Sequence, residues 1–228
     1  MTYAVLGTGM VGQTIAGKLS NLGHIVVVGT RNVEKTLAKS ESDDRSDDSS
    51  YKTWVKNFPK VQLTTFAEAS ERAEIIVNAT NGMNTLEALN TVGQEKLKGK
   101  ILIDISNPLD FSNGMPPKLF VSNTDSLGEQ IQKSFPSTKV VKTLNTVNAL
   151  LMVDPKKLTT GDHTMFVCGD DPKAKSVVTE LLTMGFGWKD VIDLGDISNS
   201  RGMEMLLPLW VRIWGATQNS MFGFKVVR

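Results

Sequence analysis

The chain has 228 residues, 40% of them hydrophobic, and a formal net charge of +1, so it is long enough to bury a sizeable core. The balanced charge gives no electrostatic reason to expect a nucleic acid or a membrane surface as a partner. The single cysteine excludes an internal disulfide framework and fits a reducing compartment, and the two histidines alone do not predict a metal site. No apolar stretch approaches the roughly 18 residues of a membrane span, and no basic leader opens the chain, so we expect a cytoplasmic protein.

Short apolar runs rich in β-branched residues recur along the first two thirds of the chain, and helical patterns lie between them. The runs are too short for helices and predict buried parallel strands at residues 3–6, 25–28, 61–63, 74–79, 100–105 and 139–144. The predicted helices cover residues 10–22, 68–72, 85–97 and 126–135. This alternation predicts an α/β fold with a Rossmann-type, doubly wound parallel sheet.

Two segments interrupt the alternation. Residues 38–51, AKSESDDRSDDSSY, are acidic and rich in serine, so we interpret them as a solvated loop between the second and third strands. Residues 106–120, SNPLDFSNGMPPKLF, contain several prolines and are expected to be irregular.

The pattern changes after about residue 144. Strands are predicted at residues 165–168 and 191–194, with a helix at 171–184 between them and a long closing helix from near Ser198. We interpret residues 1–144 as the Rossmann domain and residues 145–228 as a small C-terminal α/β lobe that ends in this helix. The helix has a wide apolar stripe, which fits core packing and also predicts a homodimer: Met203, Leu206, Leu207, Trp210, Val211 and Trp214.

A glycine motif follows the first predicted strand and opens the first predicted helix. Gly7, Gly9 and Gly12 have the G-x-G-x-x-G spacing, which allows a tight turn, close approach of the backbone to a pyrophosphate, and close packing of helix on strand. The helix N-terminus adds free N–H groups and a partial positive charge. We therefore predict that a dinucleotide contacts Gly7, Thr8, Gly9, Met10, Val11 and Gly12.

The second predicted strand ends where such enzymes distinguish the two nicotinamide dinucleotides. A protein selective for NAD places Asp or Glu there to bind the ribose 2′-hydroxyl, whereas this chain has Thr30, Arg31 and Asn32. The guanidinium of Arg31 offers a planar pair of donors to a 2′-phosphate, and Lys35 adds a second cation one helical turn later. This segment predicts that the dinucleotide is NADP(H).

Two later turns are expected to complete the site, because ligands bind at the carboxyl ends of the strands in such sheets. The fourth strand leads into Ala79, Thr80 and Asn81, and the fifth leads into Ser106, Asn107 and Pro108. We expect both turns to contact the ribose and the nicotinamide, although Asn-Gly and Asn-Pro also form turns for conformational reasons alone.

Four segments of the chain are similar to one known family. They are VVVGTRNVEK, VCGDDPKAKSVV, SNSRGMEMLLPL and the final GFKVVR. Together they resemble the coenzyme F-420-dependent NADP oxidoreductase family over nearly the whole chain, and VVVGTRN is also similar to the reductase domain of the STEAP metalloreductases. The resemblance implies that Thr30, Arg31 and Lys35 recognise the phosphate of NADP(H), with the deazaflavin F-420 as the co-substrate.

Two segments differ from the family pattern. Members that use the deazaflavin tend to have a proline-containing turn and a His-Thr-x-Pro-like segment, where this chain has ATNGMN and KTLNTVNA. By this correspondence Asn145, Thr146 and Asn148 would face the nicotinamide. Asn145 and Thr146 would orient its carboxamide or the acceptor, and Met83 is also expected to contact the acceptor. The acceptor is left open among F-420, a flavin and a similar planar compound.

The residues predict no catalytic acid or base. His24 lies in a Gly-His turn, His163 lies in a polar loop, and Cys168 has apolar neighbours typical of a buried, inert thiol. Hydride transfer between two planar rings needs positioning rather than a proton relay, so we predict an NADP-dependent oxidoreductase with a small-molecule acceptor. Two alternatives stay open: an NADP(H)-sensing module without turnover, and a reductase of a small carbonyl or imine compound, for which Lys142 is the nearest candidate acid.

Overall fold

The computed structural model describes residues 1–39, 50–158 and 160–228, so most of the predicted acidic loop at residues 38–51 lies outside the described residues. The strands are β1 (Thr2–Leu6), β2 (Ile25–Thr30), β3 (Gln62–Thr65), β4 (Ile75–Asn78), β5 (Ile101–Asp104), β6 (Leu109–Asp110), β7 (Lys118–Leu119), β8 (Lys139–Thr143), β9 (Thr164–Cys168) and β10 (Asp190–Asp193). The helices are α1 (Met10–Asn21), α2 (Val33–Ala38), α3 (Tyr51–Trp54), α4 (Phe66–Arg72), α5 (Thr85–Val92), α6 (Gln94–Leu97), α7 (Leu127–Ser134), α8 (Ala149–Val153), α9 (Pro172–Glu180) and α10 (Ser200–Thr217).

The main sheet has eight strands in the order β10-β9-β8-β5-β4-β1-β2-β3. Every neighbouring pair from β3 to β8 is parallel, and the register places Val5 of β1 opposite Val28 of β2 and Val77 of β4. The order reverses beside β1, which is the switch point of a doubly wound sheet. The predicted Rossmann-type α/β fold is therefore confirmed.

Helices cover both faces of the sheet, so the inner strands are buried on both sides, whereas the edge strands β3 and β10 are not. Val5 faces a core that contains residues of α1, α8 and α9, whereas Ala4 and Leu6 face a core formed with α4, α5 and α7. This explains why the strands read as continuous apolar runs rather than as alternating ones. Because β1, β2, β4 and β5 pair in parallel, their carboxyl ends lie together at one edge of the sheet.

Two sequence-based predictions are corrected in detail. The helix predicted at residues 85–97 is broken at Gly93, whose φ of +87° a helix does not accommodate, so α5 and α6 are separate. The segment at residues 106–120 is not wholly irregular, because β6 and β7 pair as a short antiparallel hairpin.

The last third of the chain adds two strands to the same sheet. β9 pairs antiparallel with β8, and β10 pairs parallel with β9. The division into residues 1–144 and 145–228 stays a prediction, with strand pairing crossing that boundary. Among the described residues, no helix has the length and apolar character needed to cross a membrane.

Candidate functional site

The turn between β1 and α1 is built by glycines with different environments. Gly7 has a φ of +123°, and a Cβ there would lie 2.5 Å from the carbonyl oxygen of Ala79. A Cβ on Gly12 would lie 2.1 Å from the carbonyl oxygen of Gly7, whereas one on Gly9 would meet no atom within 4 Å. Gly7 and Gly12 therefore allow close backbone packing, and Gly9 keeps the space in front of the helix open.

The N-terminus of α1 has free donors beside this open space. Gly9 is the N-cap residue, and no side chain caps the helix. The first N–H groups of a helix have no partners within it, and they carry the positive end of the helix dipole. The N–H groups at this turn can therefore donate hydrogen bonds to an anionic group of a ligand.

Positively charged side chains lie at the end of β2. Arg31, Lys35 and Lys39 are exposed and line one cavity together. Within residues 1–39, 50–158 and 160–228, no carboxylate forms a salt bridge with any of the three. The cavity thus has a cationic end suited to a phosphate.

Thr30 and Asn32 have structural hydrogen bonds in the same region. The buried hydroxyl of Thr30 lies 2.8 Å from that of Thr36, and Asn32 Oδ1 accepts a hydrogen bond from the N–H of Lys35 at 2.8 Å. Asn32 is thus the N-cap of α2, which orients the first turn of that helix. The amide Nδ2 of Asn32 is the remaining donor toward a ligand.

The glycine turn and the cationic end belong to one cavity of about 690 Å³. Its walls come from the carboxyl ends of β1, β2 and β4 and from residues of α2, α4 and α5. Ten residues predicted from the sequence line it: Gly7, Thr8, Gly9, Thr30, Arg31, Asn32, Lys35, Ala79, Thr80 and Asn81. Five lining residues were missed: Thr36, Lys39, Phe66, Asn84 and Ala88.

Some of the missed residues had a signal in the sequence. Lys39 follows Lys35 by four positions and is the residue that ends α2, so it lies one helical turn beyond Lys35. Phe66 and Ala88 reach the cavity only because α4 and α5 pack beside β1 and β4, which is a property of the fold rather than of a motif.

The other predicted contacts lie outside this cavity. Met10 and Met83 are exposed, whereas Gly12, Ser106 and Pro108 are buried and Val11 and Asn107 are partly buried. Asn145 and Thr146 are each 2% exposed. Their contact with a dinucleotide or an acceptor stays a prediction.

Asn145 instead holds the turn after β5. Its Nδ2 donates to Asn107 Oδ1 at 2.9 Å and to the carbonyl oxygen of Met203 at 3.2 Å, and Asn107 Nδ2 donates to the Asn145 carbonyl oxygen at 2.9 Å. Asn145 Oδ1 is buried, and no described residue forms a hydrogen bond with it. The reciprocal amide pair fixes Asn107 beside α10.

Lys142, which the sequence did not distinguish, is fully buried in a polar cluster. Its ammonium group donates to Asp104 Oδ2 at 2.7 Å, to Glu204 Oε1 at 2.8 Å and to the carbonyl oxygen of Ser106 at 2.6 Å. Burial alone would lower the pKa of Lys142, but the two carboxylates outweigh this effect and raise the pKa above its usual value. All three donors are used, so this side chain has none left for a substrate.

The isolated histidines and the cysteine have structural environments. His24 packs against Tyr3, with ring centroids 5.0 Å apart. His163 lies in the loop before β9, as predicted, and its ring is buried against Trp188. Cys168 is buried as predicted, and burial raises the pKa of its thiol to about 12.

Comparison with known proteins agrees with this arrangement. Residues 2–108 match the family model described as NADP oxidoreductase, coenzyme F420-dependent. A crystal structure from Arthrobacter sp. FB24, which carries the provisional name of F420-dependent NADP-reductase, is 54% identical and covers 100% of both chains with a TM-score of 0.95. The chain belongs to the coenzyme F420-dependent NADP oxidoreductase family. It is accordingly an NADP-dependent oxidoreductase.

The chain aligns with different shares of its more distant relatives. The F420-dependent NADP reductase of Methanothermobacter marburgensis is 28% identical, over 93% of this chain and 92% of that protein. Metalloreductase STEAP3 of Rattus norvegicus is also 28% identical, over 90% of this chain but only 37% of that protein. A Streptomyces aurantiacus imine reductase has a TM-score of 0.64 at 15% identity, which shows a shared fold alone.

Proposed function

We propose that this family member transfers a hydride between NADPH and a small planar redox acceptor, with the dinucleotide bound in the cavity at the carboxyl ends of β1, β2 and β4. The proposal rests on one observation: the glycine turn and the cationic end formed by Arg31, Lys35 and Lys39 line the same cavity. The volume, the open space beside Gly9 and the cationic end fit a long diphosphate ligand with a third phosphate on its ribose.

Each part of the cavity has a defined task in this proposal. The N–H groups at the start of α1 bind the diphosphate, and Arg31, Lys35 and Lys39 bind the 2′-phosphate. Thr80 and Asn81 line the wall on the side of β4. When bound, NADPH supplies the hydride. The chain's own contribution is orientation and the exclusion of water, and positioning of two reactants can supply about 7–11 kcal/mol of a barrier.

The planar acceptor is proposed from the relatives and from the chemistry. The Arthrobacter and Methanothermobacter proteins are named as F420-dependent, so coenzyme F420 is the first candidate, followed by a flavin. Such an acceptor takes a hydride without a protein acid or base. The enclosed position of Lys142, with all three donors occupied, argues against its use as the acid of a carbonyl or imine reductase.

The test is oxidation of NADPH followed at its absorbance maximum, with purified protein and separate acceptors. F420, FMN, FAD and a quinone form the acceptor panel, and cyclohexanone with an amine represents the imine class. We expect turnover with F420 or a flavin and none with the imine precursor. Tight NADPH binding with no oxidation by any acceptor would contradict the proposal and favour the NADP(H)-sensing module instead.

A further inference from the structure

Thr80, which lines the cavity, begins a buried series of hydrogen bonds that runs away from the cavity beneath the strand ends. Its hydroxyl donates to Asn78 Oδ1 at 2.7 Å, and Asn78 Nδ2 donates to Asp104 Oδ1 at 2.7 Å. Asn78 and Asp104 are register partners at the ends of β4 and β5, and both are 0% exposed. Two neighbouring strand ends are thus joined by side chains as well as by backbone.

The same series continues to α10 through Lys142. Its ammonium group joins Asp104, on β5, to Glu204, on α10. Glu204 also accepts hydrogen bonds from the N–H groups of Leu127 at 2.9 Å and Gly128 at 3.0 Å, at the start of α7. One cation therefore connects the cavity wall, the turn after β5 and the C-terminal helix.

Every donor of this cation is matched, which makes the arrangement rigid. An ammonium group has three donors, and Asp104, Ser106 and Glu204 each accept one from Lys142. In a buried network, displacement of one member leaves another without its partner in a low-dielectric interior. The members therefore hold each other in a single geometry.

We propose that Lys142 is a positioning residue, which fixes the Thr80 wall of the dinucleotide cavity and helix α10 relative to each other. The inference rests on the proposed function, because the wall in question belongs to the proposed NADPH site. Glu204 does not line the cavity. Its substitution should nevertheless weaken dinucleotide binding, because Lys142, Asp104 and Asn78 connect it to Thr80.

The test is a double-mutant cycle on the dissociation constant of NADP⁺, measured by equilibrium titration without an acceptor. Glu204→Gln removes the charge at the far end of the network, and Thr80→Val removes the hydroxyl at the near end. We expect Glu204→Gln to weaken binding about fivefold in the wild-type background but less than about twofold in the Thr80→Val background, because residues of one network are not independent.

A second variant covers the case in which a single substitution destabilises the fold. Lys142→Met alone leaves two buried carboxylates without their cation, so it is combined with Asp104→Asn and Glu204→Gln to remove all three charges. This triple variant is expected to fold and to bind NADP⁺ more weakly than wild type. Lys175→Met, which breaks the separate Lys175–Asp193 pair, is the matched control and should bind as wild type does.

The outcomes separate this inference from the proposed function. Equal effects of Glu204→Gln in both backgrounds, or wild-type binding by the triple variant, would overturn the positioning role. A purely structural role would lower Tm without changing the dissociation constant of the folded protein. NADP⁺ binding without any NADPH oxidation would contradict the proposed reaction and leave the cycle interpretable, whereas no NADP⁺ binding at all would overturn both.

Discussion

Arg31 follows the last residue of β2 and is exposed at the cationic end of the cavity. Its guanidinium is planar and always charged, so it can form two parallel hydrogen bonds with one phosphate. The hydroxyl of a non-phosphorylated ribose offers neither the charge nor the paired acceptors. The selectivity between NADPH and NADH should therefore depend on this side chain more than on the glycine turn, which contacts a diphosphate common to both.

Arg31→Ser is expected to raise the dissociation constant of NADPH by about 10- to 100-fold, the range for loss of hydrogen bonds to a charged group. The affinity for NADH should change by less than about twofold, and titration of both dinucleotides measures the ratio. Arg72→Ser serves as the control, since Arg72 is exposed but lies outside the cavity lining. Equal losses of both affinities would show that Arg31 does not contact the 2′-phosphate.

Single residues were predictable from the sequence where a local pattern carries the chemistry. Arg31 and Lys35 were identified because no acid occupies the end of the second strand. Lys142 was not, because its partners Asp104 and Glu204 are distant in sequence and meet only when β5, β8 and α10 pack together. The local sequence of β8, KVVKT, gave little sign, because it has two lysines and nothing in it distinguishes Lys142 from Lys139.

At the scale of elements, the β1–α1 unit shows how one motif combines packing with binding. Gly12 packs against the backbone of Gly7, and Gly7 packs against Ala79 of the next strand end. A Cβ on Gly9 would meet no described atom within 4 Å, so glycine at this position is needed only to leave space for a ligand in front of α1. The structural and the ligand-related requirements therefore fall on different glycines.

Gly9→Ala and Gly12→Ala should separate these two requirements. Gly9→Ala is expected to keep the wild-type Tm but weaken NADPH binding at least about tenfold, because the added methyl group occupies ligand space. Gly12→Ala should lower both Tm and binding, since its Cβ would lie 2.1 Å from a carbonyl oxygen and α1 must move. Thermal melts and NADPH titration measure both effects, and a Gly9→Ala protein that binds as wild type does would refute the assignment.

The elements themselves were largely predictable, because strands buried on both faces give continuous apolar runs that interrupt the helical pattern. The orientation of β9 was not, since an apolar strand reads the same in a parallel and in an antiparallel pair. The short hairpin of β6 and β7 was hidden by the prolines around it. Contacts that depend on strand direction and register can be assigned only once the whole sheet is known.

At the scale of the molecule, α10 has exposed apolar side chains on its outer face, next to the exposed Arg212. Met205, Leu209 and Trp214 are 42%, 51% and 40% exposed, whereas Met203 and Leu207 on the inner face are buried. The homodimer stays a prediction, with a second copy of the chain expected on this face. Light scattering should give twice the 24.9 kDa of the chain, and Leu209→Asp should give the monomer mass. Met184→Asp, at a residue 82% exposed elsewhere, should leave the dimer intact.

The C-terminal residues that follow α10 return to the sheet and cover His163. The N–H of Thr164 donates to the carbonyl oxygen of Phe224 at 2.8 Å, and Gly223 packs so closely on the imidazole that a Cβ would lie 2.5 Å from His163 Cδ2. The imidazole also packs edge-on with the ring of Trp188, with centroids 4.7 Å apart. His163 Nε2 is buried and has no hydrogen-bond partner among the residues that the structure describes, so the second proton of a charged imidazolium would be poorly accommodated there.

This burial should make the fold sensitive to acid well above the range in which carboxylates titrate. Burial lowers the pKa of His163, although the nearby Asp162 opposes the shift. Below about pH 6.5 the unfolded chain therefore binds a proton that the folded chain does not, and the free energy of unfolding decreases as the pH falls.

Tm measured between about pH 7.5 and 5.5 should fall less in His163→Phe than in wild type, because a phenyl ring keeps the packing and has no proton to bind. His24→Gln is the comparison variant. Burial also lowers the pKa of His24, but this residue is only partly buried, so the variant should keep more of the wild-type decrease than His163→Phe does. An unchanged decrease in His163→Phe would mean that the folded protein accepts the proton at His163, so the tail does not hold that ring neutral.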